Sequence, residues 1–161
     1  MKKLFYLLFV LCVPLSGACV SSGAKASPQT PVFTLDVSAF GDALFTDLDF
    51  RDQLEELDPL IVYTLLGIDG DHVAAQKNFF SSGATAEEIL VFQAVDQEAM
   101  HALKKAIEAR IEDQKRVYVS YAPEEVIYLK GAVLEERGDY LVYCVAADAV
   151  SARKMIEEAL R

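Results

Sequence analysis

Glu87, Glu88 and Glu125 are carboxylates of the kind that transfer protons in hydrolases and transferases. That role requires burial in a cleft and a raised pKa. Tyr121 joins them as a surface candidate: Tyr118, Tyr121, Tyr128, Tyr140 and Tyr143 concentrate aromatic hydroxyls in the C-terminal half, where they could line a groove for sugar or peptide. Packing in strands and core accounts for most such tyrosines. Other constellations fail on spacing. Counting an EF-hand loop from Asp47 puts Arg51 at the fifth position, Asp52 at the sixth and Asp58 at the twelfth, where oxygen ligand, glycine and glutamate are required. Asp69-Gly70-Asp71-His72 reads as turn chemistry. His72 and His101 lack the spacing of a paired zinc motif. Ser81 and Ser82 lack the Gly-x-Ser-x-Gly elbow of a nucleophilic serine. No catalytic residue, metal or cofactor is therefore assigned.

Cys19 has a chemistry set by its local sequence. Lys2 and Lys3 precede an apolar run over residues 4–15, and Ser16-Gly17-Ala18 gives a small-residue exit before the cysteine. Basic start, short apolar core and small exit make an export signal. The 12-residue run spans about 18 Å as a helix, short of a ~30 Å hydrocarbon core. Leu15-Ser16-Gly17-Ala18-Cys19 resembles the lipobox of bacterial lipoproteins, in which the thiol receives a diacylglyceryl group before cleavage. Ser16 stands where that pattern prefers an aliphatic residue. Two acyl chains anchor stably where one holds only marginally. Ala24-Lys25-Ala26 offers an alternative cleavage that would release a soluble, secreted protein. The expected partition is signal peptide 1–18, lipidated cysteine and flexible linker 19–33, and one domain over 34–161. The expected location is extracytoplasmic, on a membrane reached through the lipid on Cys19.

Charge narrows the partners. The chain carries 15 Lys+Arg against 25 Asp+Glu, a formal −10, and removal of residues 1–18 takes away two lysines and no acid. Such a surface repels phosphate backbones, which excludes a nucleic-acid partner. Cys12 lies in the signal and Cys19 is the lipid site, so Cys144 has no disulfide partner within the domain. Its apolar setting reads as a buried strand.

The elements that must position these residues follow from periodicity. Val37, Phe40, Leu44 and Phe45 form a helical stripe over 36–48, and a second helix fits 59–66, between Pro59 and the stop at Gly67. Residues 72–80 and 88–95 read as strands; the second is apolar on both faces and so central. Met100, Leu103, Ile107 and Ile111 define a helix over 97–115 capped by Asp96. A short helix ending near Leu129 precedes a hairpin of strands 132–136 and 140–146. A last helix opens at Asp148. This order predicts an α+β single domain, a mainly antiparallel sheet of about four strands with helices covering one face.

Ser82-Gly83-Ala84-Thr85-Ala86-Glu87-Glu88-Ile89 before Val91-Phe92, Arg110 with Gln114, Tyr121-x-Pro123-x-Glu125, and Gly138-x-Tyr140 before an apolar strand occur in that order. Together they resemble a family of small bacterial lipoproteins, domain-of-unknown-function family 4358, over roughly residues 36–160. The resemblance implies an exported, anchored domain and brings no catalytic residues with it. The expected function is a non-enzymatic binding or accessory module for an envelope protein or wall glycan. The alternative is an envelope hydrolase or transferase accessory using the acids named above.

Overall fold

The computed structural model describes residues 33–161. The proposed signal, Cys19 and all but the last residue of the linker lie outside the described residues. Phe33–Arg161 forms one compact unit.

Four strands make one antiparallel sheet: β1 (Val73–Phe80), β2 (Glu88–Ala94), β3 (Val133–Arg137) and β4 (Tyr140–Val145), in the spatial order β1-β2-β4-β3. The α+β reading therefore holds. The apolar double face of β2 is explained by its central position, flanked by β1 and β4. Gly138 makes the β3–β4 turn at φ +57°, a conformation that favours glycine.

Helices cover both faces of the sheet, not one. On one face, Leu90, Phe92, Leu141 and Tyr143 pack with Met100, Leu103 and Ile107 of α3 (Gln97–Tyr121) and with α2 (Pro59–Leu66). On the other, Ile89, Val91, Val142 and Cys144 pack with Leu44 of α1 (Val37–Asp47) and Ile156 of α5 (Ala149–Ala159). The physical reason is the same alternation that marks a central strand. Side chains of β2 and β4 point alternately to opposite faces, and all of them are apolar except Glu88 and Gln93. A bare second face would leave Ile89, Val91 and Val142 in water.

The helix ends are chemically determined. Asp36, Asp58, Asp96 and Asp148 each accept a backbone N–H of the first turn that follows. Asp96 Oδ1 accepts from Ala99 N at 2.8 Å. Asp96→Ala is expected to remove about 1 kcal/mol of stability. A lowered urea midpoint with unchanged slope would register it; an unchanged midpoint would show that the cap contributes nothing.

The longest helix exceeds its sequence reading. The apolar periodicity predicts an end at residue 115, but the helix continues to Tyr121, giving 25 residues and a length of about 37 Å. Val117-Tyr118-Val119 lowers local helix propensity, since β-branched and aromatic side chains lose rotamer freedom there. Packing overrides it: Tyr118 is 4 % exposed and enters the core. The extra turns carry α3 past the end of the sheet, over the 81–87 loop. Helix α4 (Glu125–Lys130) then packs beside it.

Candidate functional site: a groove and a charged clamp

Three of the four surface candidates are buried. Glu87, Glu88 and Glu125 are 0, 2 and 3 % exposed, whereas Tyr121 is 59 % exposed. Burial of a carboxylate is tolerated when it is paired and hydrogen-bonded. Two arginines meet that requirement.

Arg51, in the segment after α1, serves two acids at once. Its Nη1 and Nη2 donate to Glu125 Oε1 and Oε2 at 2.7 and 2.8 Å, a bidentate fork. Its Nε donates to Glu87 Oε1 at 3.1 Å, and its guanidinium lies 3.6 Å from the centre of the Tyr128 ring. Backbone N–H groups complete the set. Those of Arg51 and Asp52 donate to Glu87 Oε2 at 2.9 and 3.0 Å, and that of Ala86 donates to Glu125 Oε2 at 2.9 Å. The hydrogen bond from Arg51 holds the Glu125 carboxyl below its ordinary range, against the opposing effect of burial. This cluster fastens the 51–52 segment, the 85–87 turn and α4 to one another. Its geometry is that of a clamp.

Arg110 serves the third acid. It projects from α3 to donate through Nε and Nη2 to Glu88, at 2.8 Å to Oε1 and 2.6 Å to Oε2. Burial nevertheless pushes the Glu88 carboxyl above its ordinary value, with Arg110 pulling the other way. Gln114, one turn on, lies with Nε2 3.5 Å from Glu88 Oε2, and its Oε1 is buried with no hydrogen-bond partner among the described residues.

Arg110 and Gln114 also border a groove of about 330 Å³ between α2 and the second half of α3. Leu65, Leu66, Val117, Tyr118 and Tyr121 supply its apolar and aromatic surface, and Arg110, Asp113 and Gln114 its polar surface. The two tyrosines tie down its rim. The Tyr121 hydroxyl donates to the Gly83 carbonyl at 3.3 Å, and the Tyr118 hydroxyl donates to the Thr85 carbonyl while lying 3.3 Å from that of Gly83. Gly83 itself sits at φ +94°, which a side chain rarely adopts. A second, more open hollow of about 380 Å³ adjoins on α2, lined by Leu60, Ile61, Thr64 and Leu65. Leu60, Ile61 and Leu65 are 72, 54 and 48 % exposed.

The acidic turn and the two serines among the remaining sequence candidates have structural partners, whereas His72 Nδ1 is buried without a hydrogen-bond partner among the described residues. Asp69 Oδ1 accepts from Asp71 N at 3.0 Å within a 3-10 turn, Gly70–His72. Ser81 Oγ donates to the Thr85 carbonyl and Ser82 Oγ to Asp52 Oδ2, at 2.7 and 2.6 Å. His101 is exposed on α3. Among the described residues no group of three His, Cys, Asp or Glu side chains is placed to hold a metal ion. Sequence reasoning named Glu87, Glu88, Glu125 and Tyr121 but missed Arg51, which it treated only as the residue that spoils a calcium loop. A lone basic residue inside the acidic stretch 47–58 was the available signal.

A family model described as Domain of unknown function (DUF4358) matches residues 47–146. The matched span contains both arginines, all three buried glutamates and the groove, and leaves out α5 and all but the last residue of α1. No curated protein and no solved structure matches the chain.

Proposed function

The chain belongs to the domain-of-unknown-function family DUF4358, and we propose that it is an exported, Cys19-anchored cell-envelope module that binds a protein partner through the α2–α3 groove. The observation that carries this reading is the exposure of Leu60, Ile61, Leu65, Val117 and Tyr121 around one groove. Contiguous apolar surface of this kind marks an interaction site on a folded domain. Aliphatic side chains dominate the lining, which suits apolar protein side chains better than the hydroxyls of a wall glycan.

The alternative, an accessory to hydrolysis or group transfer, is less well supported. Glu88 meets the burial requirement and its carboxyl is pushed up, yet its oxygens already accept from Arg110. None of Glu87, Glu88 and Glu125 lines the groove. A proton-transfer group must reach its substrate within hydrogen-bond distance.

The tether rests on the sequence around Cys19, and no helix of the described residues is long and apolar enough to cross a membrane. Cys19→Ser is expected to abolish labelling by a radioactive fatty acid and to prevent formation of the anchored mature form. Undiminished labelling of the variant would overturn the lipid assignment.

A further inference from the structure

The α2–α3 groove owes its room to small side chains. Ala106 and Ala109 of α3 line it together with Leu65 and Leu66 of α2. The ions beside it are already paired: Arg110 with Glu88, Asp113 with Arg116, and Lys115 with Glu112. One donor is left over. Arg110 gives Nε and Nη2 to Glu88, and its Nη1 has no acceptor among the described residues. Nη1 differs in this from Gln114 Oε1 and Tyr143 Oη, which also lack partners but are shut away from water. The Arg110 side chain is 17 % exposed and lines the groove, so Nη1 is offered there.

The charge balance decides what that donor suits. A carboxylate brought to Nη1 would come beside Glu88 and Asp113, and an ammonium would face the guanidinium itself. Either ion would also leave water without a free counter-charge. A carbonyl oxygen accepts the hydrogen bond and carries neither cost.

We propose that the groove takes an internal, uncharged stretch of a partner protein, with one aliphatic side chain seated between α2 and α3 and a backbone carbonyl accepting from Arg110 Nη1. This inference rests on the groove being the binding surface and adds what that surface selects. A peptide supplies both groups within a single residue. An N-acetylated sugar also carries an amide carbonyl, but it brings hydroxyls to Leu65, Leu66 and Val117, which offer them no partner. A phospholipid headgroup brings the anion that Glu88 and Asp113 oppose.

Two measurements separate this selectivity from the binding reading. In the first, the full chain is held in zwitterionic nanodiscs, with empty discs as blank, and the blocked peptide acetyl-Ser-Leu-Ser-amide is titrated in by saturation-transfer NMR. It should bind at least about fivefold more tightly than the same peptide with lysines, or with glutamates, in place of its serines. A thioamide at the leucine keeps the shape but is a poorer acceptor, and should weaken binding about threefold or more. Ala106→Leu and Ala109→Leu fill the groove with a good helix former and leave Arg110 in place; each should reduce binding about tenfold or more. Equal or tighter binding of a charged peptide, or indifference to the thioamide, overturns the inference and leaves the groove as a binding surface. Absence of binding by all three peptides, or indifference to both fillings, removes the groove as well. In the second, a photoreactive amino acid at Val117 is irradiated in intact cells and the crosslinked segment is mapped. A partner segment that is uncharged at the contact supports the proposal, and a charged one overturns it alone. Crosslinking to lipid, to glycan or to a second copy of the chain, or no crosslink, removes the partner reading too.

Discussion

Arg51→Ala is expected to destabilise the domain by roughly 3–5 kcal/mol, a drop in melting temperature of about 10 °C or more. The guanidinium is the shared partner of two acids, each of which is nearly inaccessible to water. Without it, Glu87 keeps its backbone donors at Arg51 and Asp52, and Glu125 keeps the one at Ala86. Both lose their counter-charge in a site of low dielectric. Tyr128 also loses the planar group stacked on its ring. The charge account predicts partial recovery when Glu125→Gln is added, because one of the two uncompensated carboxylates is then neutral. If the double variant is as unstable as the sum of the two single ones, the loss comes from packing alone, and the clamp as described is wrong. Thermal and urea unfolding of the four proteins of this cycle give the answer.

Arg110→Met should cost a comparable roughly 3–5 kcal/mol at pH 7, and that loss should depend on pH. The sign follows from Glu88. Its carboxyl already sits above the ordinary value because of burial, and Arg110 is what opposes the rise. Removal of Arg110 pushes it higher still, so the folded variant binds a proton that the unfolded chain has released. The stability linked to this group is present below the ordinary carboxylate pKa and disappears as pH rises through the folded value. Most of the deficit should therefore vanish by about pH 4. Glu125 works in the opposite sense. Its value is depressed by Arg51, so its contribution is full above the ordinary carboxylate pKa and is lost as pH falls through the lower folded value. The wild type combines the two slopes, and Arg110→Met exposes the first. A deficit constant from pH 4 to pH 7 would refute the assignment, and Glu88→Gln in the Arg110→Met background should abolish the pH dependence.

The elements of this domain were largely legible because local chemistry marks their ends. Pro59 and Gly67 bracket α2, four aspartates cap the helices that follow them, and Gly138 sits at the hairpin turn. The two-faced apolar character of β2 was visible as well, although its consequence, a helical layer on each side, was not drawn from it. Two features escaped for a common reason. The extension of α3 through Tyr121 depends on Tyr118 finding the core and the Thr85 carbonyl, and those partners lie 33 residues away in sequence. The pairing of Arg51 with Glu125 spans 74 residues. Local propensity sees only a few residues at a time, and it gave a shortened helix and an acidic turn.

The candidate site divides along the same line. Glu87, Glu88, Glu125 and Tyr121 were identified by residue type, and the fold does gather them near one end of α3. Their burial reverses the role of the acids. What had been surface groups open to a ligand are buried partners of Arg51 and Arg110, and the proposed binding surface is built from side chains such as Leu65 and Val117 that carry no motif. An apolar residue on a helix reads the same in sequence whether it faces a core or a partner. Only the missing neighbour on α2 distinguishes them.

Cys144 gives this architecture a built-in clock. It sits at mid-sheet in β4, wholly shielded, and burial pushes its thiol up to about 12. At neutral pH almost none of it is thiolate, the form that reacts with alkylating reagents and oxidants. Its side chain lies on the sheet face covered by α1 and α5, so reaching the thiol requires lifting that helical layer from the sheet. Its rate of alkylation thus counts the openings of that layer. If the chain is exported as proposed, the same arrangement confers redox silence: in an oxidising compartment the folded domain presents no thiol to scramble.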